Sequence, residues 1–86
     1  MTKKNPTPER VNLGKEIRRL REELSITQEE LAGKLHTGQQ EVSRIELGYV
    51  DIGLDKFDEI SQVLKVEKSE LIKHLRLPDE QAGEAS

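Results

Sequence analysis

The 86-residue chain contains no cysteine and no tryptophan, and only one tyrosine, one phenylalanine and one methionine. Without cysteine it can form no disulfide, no cysteine-ligated metal site and no thiol nucleophile, and a reducing cytoplasm is the expected compartment. No apolar run approaches the roughly 18–20 residues of a membrane span, and the start Met-Thr-Lys-Lys is not followed by an apolar segment. The length is enough for one small domain, which is predicted to be soluble.

The net charge is −3, but the charges are unevenly distributed. Residues 1–24 hold seven Lys and Arg against four acids, residues 25–50 hold two against four, and residues 51–86 hold five against nine. The basic excess therefore lies at the N-terminal end and the acidic excess at the C-terminal end. This distribution permits DNA binding without requiring it.

Helical periodicity predicts five short helices, beginning near residues 11, 27, 39, 54 and 68, and no strand. The predicted fold is therefore all-α, a compact five-helix domain. Residues 1–10, with two prolines, are expected to form a flexible arm, residues 11–77 the domain, and residues 78–86 a disordered acidic tail.

Local signals define the middle helices. Thr27 and Glu30 have the spacing of a capping box at the start of the second helix, and Gly48 is a stop signal for the third. The apolar positions at helical spacing predict the core, and they include Leu13, Ile17, Leu20, Leu24, Leu31, Ala32, Leu35, Val42, Ile45, Leu54, Phe57, Ile60, Leu64, Leu71 and Leu75.

The second and third predicted helices, joined by a three-residue turn, have the spacing of a helix-turn-helix motif. With Val42 and Ile45 in the core, the third helix presents a polar outer side formed by Gln39, Gln40, Ser43 and Arg44. Gln can pair with adenine N6 and N7, Arg with guanine O6 and N7, and Ser can reach a base or a phosphate. Gln28, the first residue of the second helix, lies where exposed amides and the helix dipole favour a phosphate.

The segment TQEELAGKLHTGQQEVSRIELG (residues 27–48) resembles the Cro and lambdoid-repressor type of helix-turn-helix regulator, the XRE family. LGKEIRRLREEL (residues 13–24) resembles the first helix of that family, and LDKFDEISQVLKVEKSELI (residues 54–72) its last two. The resemblance covers about residues 11–75 and includes Ala32 at the tight helix–helix contact. It implies a sequence-specific, double-stranded DNA-binding transcriptional regulator, a repressor or else an antitoxin or restriction-modification controller, and no enzyme.

By position, the resemblance implies base contacts from Gln39, Gln40 and Arg44, and DNA backbone contacts from Gln28 and Ser43. It also implies a structural ion pair between Arg21 and Glu46, which would join the first helix to the third.

The sequence also departs from the family pattern at four places, one of which is Gly38, where a Ser or Thr cap is usual. Leu47 replaces an Asn that contacts the DNA backbone, and the loop with Asp51 is not basic. His36 occupies a turn position where Gly is usual, and a positive φ is expected there.

A single module makes few base contacts, so a homodimer on a palindromic operator is expected. Ile72, Leu75 and Leu77 are the predicted dimer interface, and Val50 and Ile52 are candidates to extend it. A toxin is a further possible protein partner. No membrane association and no cofactor are expected. No metal is expected either, because His36 and His74 have no supporting ligand cluster.

Two other interpretations stay open at this stage. The first is a protein-interaction module that keeps the fold but binds DNA weakly or not at all, as the acidic C-terminal half and the non-basic loop suggest. The second concerns Tyr49 and Val50, which either pack under the loop, touch a sugar or face a partner chain; packing or a partner is favoured.

Overall fold

The structure, a computed structural model, describes residues 6–74. Within that range the chain forms five helices: α1 (Pro8–Glu23), α2 (Gln28–Lys34), α3 (Gln39–Leu47), α4 (Leu54–Leu64) and α5 (Lys68–Lys73). These residues contain no strand, and the predicted all-α class is confirmed. Residues 1–5 of the predicted arm, the tail 78–86, Leu75 and Leu77 lie outside the described residues.

Helix α1 begins three residues earlier than predicted. Thr7 is its N-cap, and the hydroxyl oxygen of Thr7 accepts a hydrogen bond from the backbone N–H of Arg10 at 3.2 Å. Pro8 takes the first helical position, where a missing N–H costs nothing and the fixed φ suits the helix. Residues 8–10 therefore belong to α1 and not to the arm, because Thr-Pro is a helix-start signal here and not a sign of flexibility.

Helix α2 begins with the predicted capping box. The hydroxyl oxygen of Thr27 accepts from the backbone N–H of Glu30 at 3.0 Å, and the Glu30 carboxylate accepts from the backbone N–H of Thr27 at 2.8 Å. At the other end of α2, the ammonium of Lys56 donates to the carbonyl oxygen of Leu35 at 3.4 Å. This contact ties α4 to the end of α2.

The turn between α2 and α3 has the predicted backbone. His36 has a φ of 57°, in the left-handed region expected at this position. Gly38 is the N-cap of α3, and Gly48 ends α3 with a φ of 88°. A left-handed residue after the last turn is how many helices terminate, and Gly adopts it without strain.

The core lies between all five helices and consists of Leu13, Ile17, Leu31, Ala32, Leu35, Val42, Ile45, Phe57, Ile60, Leu64 and Leu71. The prediction for Leu54 was wrong, since 77 % of that residue is exposed. It is the first residue of α4, and the buried stripe of that helix begins one turn later, at Phe57. The prediction for Leu24 was also wrong, because Leu24 follows the last turn of α1 and is exposed.

Val50 and Ile52, in the loop between α3 and α4, are half-buried and pack against this core. The interpretation that Val50 packs under the loop agrees with this contact, whereas the extension of a partner surface by Val50 and Ile52 stays a prediction. Among residues 6–74, no helix combines the length and the apolar composition needed to cross a membrane.

Candidate nucleic-acid interface

Helix α3 separates its apolar and polar side chains onto opposite sides. Val42 and Ile45 are buried, whereas Gln39, Gln40 and Arg44 are exposed. Ser43 and Gln28, the two residues expected at the DNA backbone, are half-buried. The structure thus brings all five predicted contact residues to one surface formed by α3 and the start of α2, which we call the α3 surface.

The position of α3 against α1 depends on two glycines. A Cβ atom on Gly14 would lie 2.6 Å from the carbonyl oxygen of Ile45 and closer still to that of Glu46. A Cβ on Gly48 would lie 2.8 Å from a methyl group of Val11. Only glycine allows the two helices to approach this closely. The role of Gly14 was not predicted, although an isolated glycine inside a helical pattern is the sequence signal of such a contact.

Arg21 and Glu46 form the ion pair that the family resemblance implied. The Nε of Arg21 donates to Oε2 of Glu46 at 2.6 Å, and Nη2 donates to Oε1 at 3.2 Å. Only 10 % of the Arg21 side chain and 3 % of the Glu46 side chain are exposed. The hydrogen bond to Glu46 raises the pKa of Arg21, and Nη1 of Arg21 also donates to the carbonyl oxygen of Ile26 at 2.9 Å. The pair joins α1 to the end of α3 and to the segment before α2.

Two further hydrogen bonds extend this pair to the protein surface. The Nε2 of Gln28 donates to Oε1 of Glu46 at 3.0 Å, and the Nε2 of Gln39 donates to Oε1 of Gln28 at 2.9 Å. We call the three linked side chains of Glu46, Gln28 and Gln39 the amide relay. Nothing in the sequence predicts it, because its members are separated by 18 and 11 residues and no local pattern connects them.

Two charged residues beside the α3 surface, Asp51 of the non-basic loop and Arg44 of α3, differ in whether they have an ion-pair partner. Asp51 lies 3.4 Å from the guanidinium of Arg10, so the acid of this loop has a cationic partner. Within residues 6–74, Arg44 forms no ion pair. Arg44 is therefore available to an external anion or base.

A cleft of about 640 Å³ follows the C-terminal half of α3 and is lined by Glu41, Arg44, Leu47, Tyr49, Val50 and Asp51. Leu47, where the family pattern has a polar residue, is 56 % exposed and presents only apolar atoms beside Arg44. Tyr49 is also exposed, whereas Val50 packs against the core, so the two residues do not share one role.

The chain matches the family model described as Helix-turn-helix over residues 17–71. No curated protein matches it.

Several solved structures are similar to the chain. The restriction-modification controller protein C.AhdI from Aeromonas hydrophila is 27 % identical, with a TM-score of 0.69, covering 73 % of this chain and 91 % of that one. The clp gene regulator ClgR from C. glutamicum is 20 % identical, with a TM-score of 0.72 and coverages of 83 % and 91 %. The hypothetical transcription factor NHTF from Neisseria is 24 % identical, with a TM-score of 0.70 and coverages of 96 % and 95 %.

Proposed function

The chain belongs to the helix-turn-helix family, and from this premise we propose that it is a sequence-specific, double-stranded DNA-binding regulator of transcription. The observation that carries the proposal is the α3 surface, where two amides and the guanidinium of Arg44 lie exposed on the second helix of the motif. The similar solved structures include a gene regulator and a restriction-modification controller, which supports the same assignment. The proposal assigns no catalytic activity to the chain.

In the proposed complex, the N-terminal part of α3 enters the major groove. Gln39 and Gln40 lie in the first turn of α3 and Arg44 lies one turn later, so all three can reach base edges. Gln28 uses one of its two amide N–H groups for Glu46 and keeps the other for a phosphate. Ser43, half-buried beside Arg44, is the second proposed backbone contact.

The finer features of the function are also proposals. A homodimer would double the number of base contacts and would select a palindromic operator. We place its interface around Ile72, which is 42 % exposed on α5, together with Leu75 and Leu77. We further propose repression as the mode of action, a cytoplasmic location, and a toxin as partner should the chain be an antitoxin.

Selection of bound sequences from random duplex DNA, followed by a salt titration, tests the function. A regulator should enrich one sequence, and the logarithm of its binding constant should fall linearly with the logarithm of the salt concentration. A protein-interaction module should enrich none, and that result would overturn the proposal.

Single substitutions to Ala at Gln39, Gln40 and Arg44 test the site on the selected DNA. Each should weaken binding to the selected DNA by about 1–3 kcal/mol, because each removes the contact to one base pair. Binding to random DNA should change little. Gln62→Ala is the matched control, since Gln62 is an exposed glutamine on α4. Three variants with the affinity of the parent would refute the assignment of these residues.

A further inference from the structure

The amide relay begins at a group that can only accept hydrogen bonds. The carboxylate of Glu46 has no hydrogen to donate, so Gln28 must turn its NH₂ group toward it, as the 3.0 Å distance between Gln28 Nε2 and Glu46 Oε1 shows. The two N–H groups of Arg21 that face the same carboxylate hold it in place. The carboxylate of Glu46, held by Arg21, therefore determines which way the Gln28 amide points.

The orientation of Gln28 in turn determines that of Gln39. With its nitrogen toward Glu46, Gln28 presents its carbonyl oxygen to Gln39, and a carbonyl oxygen can only accept. Gln39 must therefore donate through Nε2, as the 2.9 Å distance between Gln39 Nε2 and Gln28 Oε1 shows. Gln39 keeps its carbonyl oxygen and one N–H for an external partner, which places an acceptor beside a donor.

An acceptor beside a donor matches one purine and not the other. In the major groove adenine presents an N–H donor at N6 and an acceptor at N7, whereas guanine presents two acceptors, O6 and N7. If the relay were reversed, Gln39 would accept from Gln28 and present both of its N–H groups, which suits guanine. The carboxylate at the buried end of the relay excludes this reversal.

We propose that Glu46 is a positioning residue that makes Gln39 prefer adenine to guanine by fixing the polarity of the amide relay. The inference rests on the proposed function, in which Gln39 contacts a base. Glu46 itself touches no DNA in this proposal, since its side chain is buried beneath Gln28.

The test measures the affinity ratio between two operators that differ only by adenine or guanine at the base pair assigned to Gln39 by Gln39→Ala. Glu46→Gln keeps the size of the side chain but supplies an N–H donor, so it no longer holds Gln28 in one orientation. Gln28→Met keeps the Arg21–Glu46 pair and breaks the relay. If Gln28→Met also removes a hydrogen bond to a phosphate, both operators bind more weakly by the same factor and the ratio is unaffected.

The parent should favour adenine by at least about fivefold, and both variants should bring the ratio close to one. The discrimination at the base pair assigned to Arg44 is the internal control and should stay unchanged. Should Glu46→Gln fail to fold in a thermal melt, Gln28→Met decides the question.

Three results would overturn the inference: a parent that shows no preference for adenine, variants that keep it, or variants that lose discrimination at both base pairs. The last would give Glu46 a purely structural role. A parent that selects no sequence at all would instead refute the proposed function, so the two failures are distinguishable.

Discussion

Gly14 lies where α1 crosses the last turn of α3, with the carbonyl oxygens of Ile45 and Glu46 occupying the space that a Cβ atom would need. Backbone atoms cannot move aside as the end of a flexible side chain can. A side chain at this position must therefore push α1 and α3 apart, which would also move the residues of the α3 surface. Gly33, on α2, has nothing within 4 Å of a Cβ atom and carries no such constraint.

Gly14→Ala should lower the free energy of unfolding by about 2–3 kcal/mol, because the helices must separate or the core must accept strain. Gly33→Ala is the matched control and should raise it by up to about 1 kcal/mol, since alanine favours the helix. Urea denaturation followed by circular dichroism measures both. Equal effects of the two substitutions would show that the close approach at Gly14 is unimportant.

His36 adopts left-handed backbone, with a φ of 57°, in the turn between α2 and α3. An L-residue is strained there and glycine is not, so His36→Gly should raise the free energy of unfolding by about 0.5–1 kcal/mol. Lys34→Gly, two residues earlier and at the last position of α2, should lower it by up to a similar amount. Thermal melts should thus move in opposite directions, and a fall for His36→Gly would mean that the imidazole makes a stabilising contact.

At the scale of elements, α1 and α3 are joined by the buried ion pair of Arg21 and Glu46, in addition to the close approach at Gly14. The ion pair of Arg19 with Glu23, by contrast, lies within α1 and is exposed. An exposed pair contributes about 0–1 kcal/mol, whereas removing one partner of a buried pair leaves an uncompensated charge. The two kinds of pair should therefore differ strongly in their effect on stability.

Glu46→Ala should lower the free energy of unfolding by about 3 kcal/mol, the lower end of the range for buried pairs, because Arg21 keeps its hydrogen bond to the Ile26 carbonyl. Glu23→Ala removes the same kind of side chain from an exposed pair and should cost less than about 1 kcal/mol. Chemical denaturation of both variants provides the comparison. Indistinguishable values would place the Arg21–Glu46 pair among the unimportant surface pairs.

At the scale of the whole molecule, a dimer must leave α3 and the start of α2 free for DNA. Ile72 on α5 is an exposed apolar residue outside the α3 surface, and Leu71 beside it already closes the core. A two-fold axis near Ile72 would have to place the two α3 helices about 34 Å apart, one turn of DNA, to fit a palindrome.

Ile72→Asp should abolish dimerisation, because the interface would have to bury an unpaired carboxylate. Leu54→Asp is the matched control, since Leu54 is an even more exposed apolar residue on another helix, and it should leave the dimer intact. Sedimentation velocity at high micromolar concentration distinguishes the states. A monomeric parent, or a dimeric Ile72→Asp variant, would exclude this interface.

The sequence alone determined the elements of this protein and the side of α3 that faces outward. The capping box at Thr27, the stop at Gly48 and the stripe through Val42 and Ile45 could be predicted because capping and helical periodicity act within one or two turns of chain. The start of α1 obeys the same local rules, and its prediction was wrong only because proline near a chain end is typical of flexible segments as well as of helix starts.

The tertiary structure decided which residues of different elements come into contact and which of them are buried. The partial burial of Val50, the close approach at Gly14 and the relay from Glu46 through Gln28 to Gln39 all depend on residues far apart in the chain. Whether side chains on two different helices come into contact depends on how the helices pack and cross. No local spacing in the sequence encodes the distance between those side chains. The residue types at the α3 surface could therefore be predicted from the sequence, whereas the orientation of their amides could not.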